Sequence, residues 1–113
     1  MELAIKKFEH CDLLTISGRI DSYTAPDIDS VLKSLMSDDQ INFIIDMENV
    51  TYLSSSGILV FVNAQKSLNK RKGGRILFSG TPDLIYSAFS LAGFNQLFDF
   101  FANTASAVER FRE

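Results

Sequence analysis

Three consecutive serines, Ser54-Ser55-Ser56, followed by Gly57, are the one local feature of this 113-residue chain whose residue type and placement suggest chemistry. The stretch Ile58 to Asn69 contains no Pro or Gly and is apolar over most of its first two turns. It reads as a largely buried helix that opens straight after the serines. A hydroxyl at a helix start faces unpaired backbone N–H groups and the positive end of the helix dipole. A phosphate esterified there would be held by the same groups and would add nearly two negative charges to the surface. The same serines also make ordinary helix caps, so local sequence supports both a modification site and a cap.

Other reactive residue types lack company. The chain has one histidine and one cysteine, His10 and Cys11, and two such ligands do not fill a tetrahedral zinc site. Both fall in an expected exposed hairpin turn. A Cys11 thiolate nucleophile would want a strand-to-helix loop, whereas Asp12 beside it raises the thiol pKa. Serine nucleophiles need a base, nothing places His10 beside the triplet, and there is no Gly-x-Ser-x-Gly elbow. Gly73-Gly74 precedes a strand instead of opening a helix, the wrong order for a phosphate cradle. Asn49-Val50-Thr51 matches a glycosylation sequon, which matters only in a secreted chain. The reading is therefore of a protein that is not an enzyme and carries no cofactor and no metal.

Charge is spread unevenly. No acidic residue lies between Glu48 and Asp83, whereas Lys66, Lys70, Arg71, Lys72 and Arg75 do. These cations suit the negative end of the second helix. They sit two to three turns beyond the serines, roughly 15–20 Å away along the helix, too far to hold a phosphate on Ser55. The net charge of −3 gives no general pull toward nucleic acid or anionic lipid. No apolar run approaches the roughly 20 residues that span a bilayer, so no membrane insertion is expected. Residues 1–7 lack the pattern of a signal peptide, and a lone cysteine suits a reducing compartment; a cytoplasmic location is expected.

The elements that must position the serines emerge from periodicity. Hydrophobic residues make up 46% and charged residues 22% of the chain, a globular composition of one-domain length. Leu3 to Phe8 and Leu13 to Ser17 form an antiparallel hairpin around Glu9-His10-Cys11-Asp12. Gly18 comes next, and Arg19 to Tyr23 cross toward a first helix that starts near Thr24 or Ala25 with Pro26 in its first turn. Ile28, Val31, Leu32, Leu35 and Met36 make its apolar stripe, and Ser37-Asp38-Asp39 ends it. Ile41 to Asp46 is a central strand covered on both faces, with Met47 to Leu53 as the connection to the serines. Arg75 to Ser79 is a second buried strand. Thr81-Pro82-Asp83 opens a third helix with Leu84, Ile85, Ala88 and Phe89 inward. Leu97 to Phe101 is an edge strand, and Thr104 caps a last helix carrying Val108 and Phe111. The ten Phe residues are expected core filler. The sum is a single α/β domain over residues 1–113, a mixed, mostly parallel β-sheet with about four helices packed on it.

Three segments in this order resemble one family. Leu53-Ser54-Ser55-Ser56-Gly57-Ile58, after a buried strand and Asp46-Met47-Glu48-Asn49-Val50, resembles the Asp-Ser-Ser/Thr-Gly loop of the STAS family, which includes the bacterial anti-sigma factor antagonists. Gly18-Arg19-Ile20-Asp21 is similar to that family's Gly-x-Leu/Ile-Asp segment. Leu91-Ala92-Gly93-Phe94-Asn95-Gln96-Leu97-Phe98 resembles its Gly-Leu-x-x-Leu-Phe stretch. Ser54 stands where the phosphorylated members have Asp.

The resemblance implies a STAS-like fold and a role as an anti-sigma factor antagonist: a phosphorylation-gated switch that binds an anti-sigma factor with serine kinase activity and so releases a sigma factor for transcription. It places the phosphate on Ser55, with Ser54 and Ser56 as the lesser candidates. The partner-binding surface it implies comprises Asp21, Ser22, Tyr23 and Thr24 with Ser54, Ser56 and Gly57. The alternative it leaves is a non-phosphorylated regulatory or scaffold subunit of a signalling assembly or membrane transporter.

Overall fold

In the computed structural model, which describes residues 1–71 and 73–112, the chain starts with a hairpin. β1 (Glu2–Lys7) runs antiparallel to β2 (Asp12–Ile20), and Phe8 N donates to Cys11 O at 2.9 Å to close the turn. That turn is tighter than expected, with a consequence for Cys11. The residue already stands at the head of β2 and is buried, as is Asp12, whose carboxylate takes Lys7 Nζ at 3.2 Å. Only Glu9 and His10 are left at the exposed tip.

β2 also runs past Ser17, to Ile20. Gly18 sits inside the strand at φ +99°, and a Cβ there would stand 3.2 Å from Met1 Cα. The residue that reads as the end of the strand is thus a kink within it, where glycine alone is unstrained.

The remaining elements are α1 (Ala25–Ser37), β3 (Asn42–Leu53), α2 (Ser55–Asn69), β4 (Arg75–Ser79), α3 (Asp83–Leu91), β5 (Asp99–Phe101) and α4 (Thr104–Arg112). The five strands lie in the order β1-β2-β3-β4-β5, and every pair after the first is parallel. Because the sheet grows in one direction, right-handed crossovers put α1, α2 and α3 on the same face. Their apolar stripes meet Leu14, Ile16, Phe43, Ile45, Ile76 and Phe78 there. Among the described residues the opposite face is covered by α4, where Ala107, Val108 and Phe111 pack on Cys11, Ile44 and Leu77. Alternation along β3, with Phe43 and Ile45 on one side and Ile44 on the other, is the signature of a strand buried on both faces.

β3 is twice as long as the apolar run suggested. Its second half carries Glu48, Asn49, Thr51 and Tyr52 outward and buries Met47, Val50 and Leu53. Those three recur every third residue, because the register with β2 slips between Thr15 and Ser17 and again between Gly18 and Arg19. Each slip adds a residue to β3 and breaks the period of two by which a strand is recognised. The expected connection before the serines is therefore strand, and it delivers them rigidly.

The ten phenylalanines are all buried or half-buried. Phe78 is the centre of a group in which Phe61, Phe89, Phe98 and Phe100 approach its ring within 5.0–5.3 Å. On α3, Ile85 and Phe89 face inward and Ala88 is half-buried, but Leu84 points away and is 77% exposed. Its expected inward position fails because α3 is a short helix whose buried face is narrow. Asn103, not Thr104, caps α4: its Oδ1 accepts from Ser106 N at 2.9 Å, while Thr104 Oγ1 lies 3.0 Å from Ser79 Oγ.

Candidate functional site

The carboxyl ends of β2 and β3 lie side by side, Arg19 against Tyr52 and Ile20 against Leu53. The pairing therefore brings together the turn Asp21–Thr24, which leaves β2, and the serines, which leave β3. Ser54 N donates to Ile20 O at 2.9 Å and ties the two segments directly.

Ser54 is the N-cap of α2. Its backbone is extended and its Oγ accepts from Gly57 N at 3.2 Å. The hydroxyl is half-buried and spoken for. Ser55 and Ser56 are the first two residues of the helix, and both are exposed. α2 has no acidic residue in its first turn. Two hydroxyls thus stand at the positive end of the helix dipole. Gly57 is buried: a Cβ there would stand 2.5 Å from Ile20 Cγ2 and 2.8 Å from Leu53 Cδ1. Its absence of a side chain lets α2 begin hard against both strands, so its part in the site is to set where the serines stand.

The β2–α1 turn is held from within. Asp21 Oδ1 accepts from Tyr23 N at 3.0 Å and Thr24 N at 3.1 Å. Thr24 Oγ1 donates to Arg19 O and accepts from Asp21 N, both at 2.9 Å. Desolvation, the largest single influence, opposes ionisation of Asp21, but these N–H groups, the Thr24 hydroxyl and the Arg19 guanidinium together outweigh it, and the carboxyl sits below its ordinary 3.8. Arg19 lies 3.8 Å from Asp21 Oδ2 and stacks 4.2 Å over the Tyr52 ring. Ser22 and Tyr23 are left at the tip, and both are exposed.

The residues singled out from sequence therefore come together at the carboxyl ends of β2 and β3, with Gly57 beneath them. Sequence reasoning missed what frames them. A groove of about 500 Å³ runs between α1 and α2 and is lined by Ser22, Pro26, Ser56 and Leu59 among others. A second, mostly apolar groove of about 300 Å³ lies between the end of β3 and α3, lined by Tyr52, Leu84, Ala88 and Leu91. Leu91 is 90% exposed. The signal available was the pair of leucines flanking the inward stripe of α3, but a single sequence does not separate a surface leucine from a core one.

The basic window is partly structural. Arg71 Nη1 donates to Met36 O at 2.6 Å, so it closes the end of α1, not of α2, and Arg75 pairs with Asp99. Lys66 and Lys70 are exposed; Lys72 lies outside the described residues. Cys11 is buried against the α4 side, and burial first, then the Asp12 carboxylate, push its thiol pKa up against the opposing pull of Arg112. Among the described residues no three His, Cys, Asp or Glu side chains gather to hold a metal, and no helix is long and apolar enough to cross a membrane.

Five strands in sequential order, three helices on one face, and an exposed serine pair at the start of the middle helix define the class: an α/β domain with a mixed, mostly parallel sheet. The chain belongs to the STAS domain family, whose sequence model matches residues 2–107. It is 32% identical over 99 residues, 88% of this chain and 85% of the relative, to the anti-sigma-B factor antagonist of Listeria monocytogenes. Its fold is similar to the anti-sigma factor antagonist SpoIIAA in its unphosphorylated form, with a TM-score of 0.86 at 15% identity over 98% of this chain and 96% of that one. It is also similar to the Bacillus cell fate determinant SpoIIAA in the phosphorylated form, with a TM-score of 0.76 at 14% identity over 96% and 98% of the two chains.

Proposed function

We propose that this chain is an anti-sigma factor antagonist whose binding is switched off by phosphorylation of Ser55. Unmodified, it would bind an anti-sigma factor in the cytoplasm and release a sigma factor; the partner, acting as a serine kinase with ATP, would then transfer a phosphoryl group to this chain. The observation that carries the reading is the division of roles among the serines. Ser54 is occupied as the cap, whereas Ser55 is exposed at the helix start, and Ser56 beside it is the alternative acceptor. The Listeria relative, an anti-sigma-B factor antagonist by name, supports the partner class.

The physics of the switch lies in where the hydroxyl stands. A phosphate at the first residue of a helix is favoured by the dipole and by free N–H groups, so it leaves the domain folded. The same two negative charges, buried against a partner, must be desolvated and meet whatever faces them. Moving from mostly bound to mostly free takes about 5.5 kcal/mol of differential affinity, within reach of an uncompensated double charge.

The test is a pair of variants measured against the purified anti-sigma factor of the source organism. Ser55→Ala is expected to bind as the parent does and to resist phosphorylation; Ser55→Asp is expected to bind at least tenfold more weakly. Equal affinity for the parent and both variants, or phosphate mapped outside Ser54–Ser56, would overturn the reading.

A further inference from the structure

Tyr23 is 87% exposed, the most solvent-open aromatic side chain in the described part of the molecule. All ten phenylalanines are sheltered, and Tyr52 and Tyr86 each lean on a neighbour, Tyr52 under Arg19 and Tyr86 edge-on to Phe100 at 4.9 Å. Tyr23 alone among the aromatics stands clear of the domain.

Its backbone, by contrast, is among the most tightly held of any turn here. Tyr23 N, Thr24 N and the Thr24 hydroxyl converge on the Asp21–Arg19 segment through bonds of 2.9–3.1 Å. Arg19 then pins that segment to Tyr52 and, through the strand pairing, to the residues that lead into Ser54. A mobile loop with an exposed ring would lose backbone freedom on binding; this turn has already lost it. A rigid aromatic with two rotatable side-chain torsions offers large contact area at small entropic cost, which is why tyrosines recur as the residues that dominate interface energies. The turn is also continuous with the serine surface, since Ser22 and Ser56 line the same groove.

We infer that Tyr23 is the aromatic anchor of the partner contact: its ring inserts into an apolar pocket on the anti-sigma factor, and Asp21 and Thr24 act as positioning residues that aim it. This rests on the reading given under Proposed function and adds to it which residue supplies the affinity and what the partner must present. Affinity and switching then reside in different side chains, the ring on the β2–α1 turn and the hydroxyl on α2.

The experiment measures binding and phosphorylation by the same purified anti-sigma factor with ATP. Tyr23→Ala is expected to weaken binding on the order of 30-fold, whereas Tyr23→Phe, which keeps the ring, stays within about threefold. Because the ring does not touch the reacting atoms, Tyr23→Ala should raise the KM for this chain as kinase substrate with kcat nearly unchanged. Asp21→Ala, which frees the turn and leaves the ring, should fall between the two. The melting temperature of Tyr23→Ala should match the parent, since an exposed ring contributes little to folding. Parent-like affinity for Tyr23→Ala, or a loss in kcat in place of KM, overturns the anchor while the parent still binds and is phosphorylated. No binding by the parent itself overturns the underlying reading and the anchor with it.

Discussion

Ser54 and Ser55 are adjacent and chemically identical, yet the fold gives them different work. One hydroxyl is turned back onto Gly57 N; the other faces solvent at the helix start. A substitution at Ser54 should therefore act on the helix and one at Ser55 on the partner. Buried polar residues divide in the same way. Gln65 bridges α2 to β4, its Oε1 accepting from Ile76 N at 2.8 Å and its Nε2 donating to Gly74 O at 3.1 Å. Gln65→Leu keeps the bulk but strands both backbone groups, and should cost about 1–3 kcal/mol in chemical denaturation. Cys11 makes a prediction in pH. Its folded pKa is raised above the ordinary 9.0, so the native state holds the thiol proton more tightly than the unfolded chain. The stability it supports is full below that ordinary value and is lost as pH rises through the raised one. Between about pH 8 and about pH 10.5, denaturation midpoints of the parent should fall further than those of Cys11→Ala.

At the scale of elements, the docking of α2 decides where the serines stand, and Gly57 decides the docking. Alanine in a helix gains roughly 0.5–1 kcal/mol over glycine. A methyl group 2.5 Å from Ile20 Cγ2 and 2.8 Å from Leu53 Cδ1 forces repacking, and overpacking of this kind costs about 1–3 kcal/mol. The clash wins: Gly57→Ala should be less stable by about 1–2 kcal/mol, with slower phosphorylation as the first turn of α2 shifts, both read from thermal melts and kinase assays. The elements also show where the sequence is readable. Arg75 to Ser79, the stripe of α1 and the helix after the serines were legible because their apolar periods are unbroken. The second half of β3 was not, since two register slips respace Met47, Val50 and Leu53 to every third residue, which hides the strand's period of two. Cys11 was misplaced because a tight turn and a loose one look alike in a polar tetrapeptide. The serines themselves were legible by type and order, but which hydroxyl is free depends on the backbone of Ser54, which a sequence does not display.

Across the whole molecule, the sheet grows in one direction, and this collects the β2–α1 turn and the start of the serine helix at one end of the sheet. α1 and α2 come after neighbouring strands on the same face, so their starts are neighbours as well. The opposite face is closed by α4 and takes no part in that site. A change of charge at Ser55 should therefore alter a prebuilt surface without rebuilding the fold. The most direct measurement compares the affinity of the parent chain for its anti-sigma factor before and after stoichiometric phosphorylation at Ser55, with the melting temperature recorded on both forms. The expected result is a loss of affinity of up to about 10⁴-fold with a melting temperature that is unchanged or higher. Undiminished affinity of the phosphorylated form, or a loss of affinity accompanied by unfolding, would contradict it.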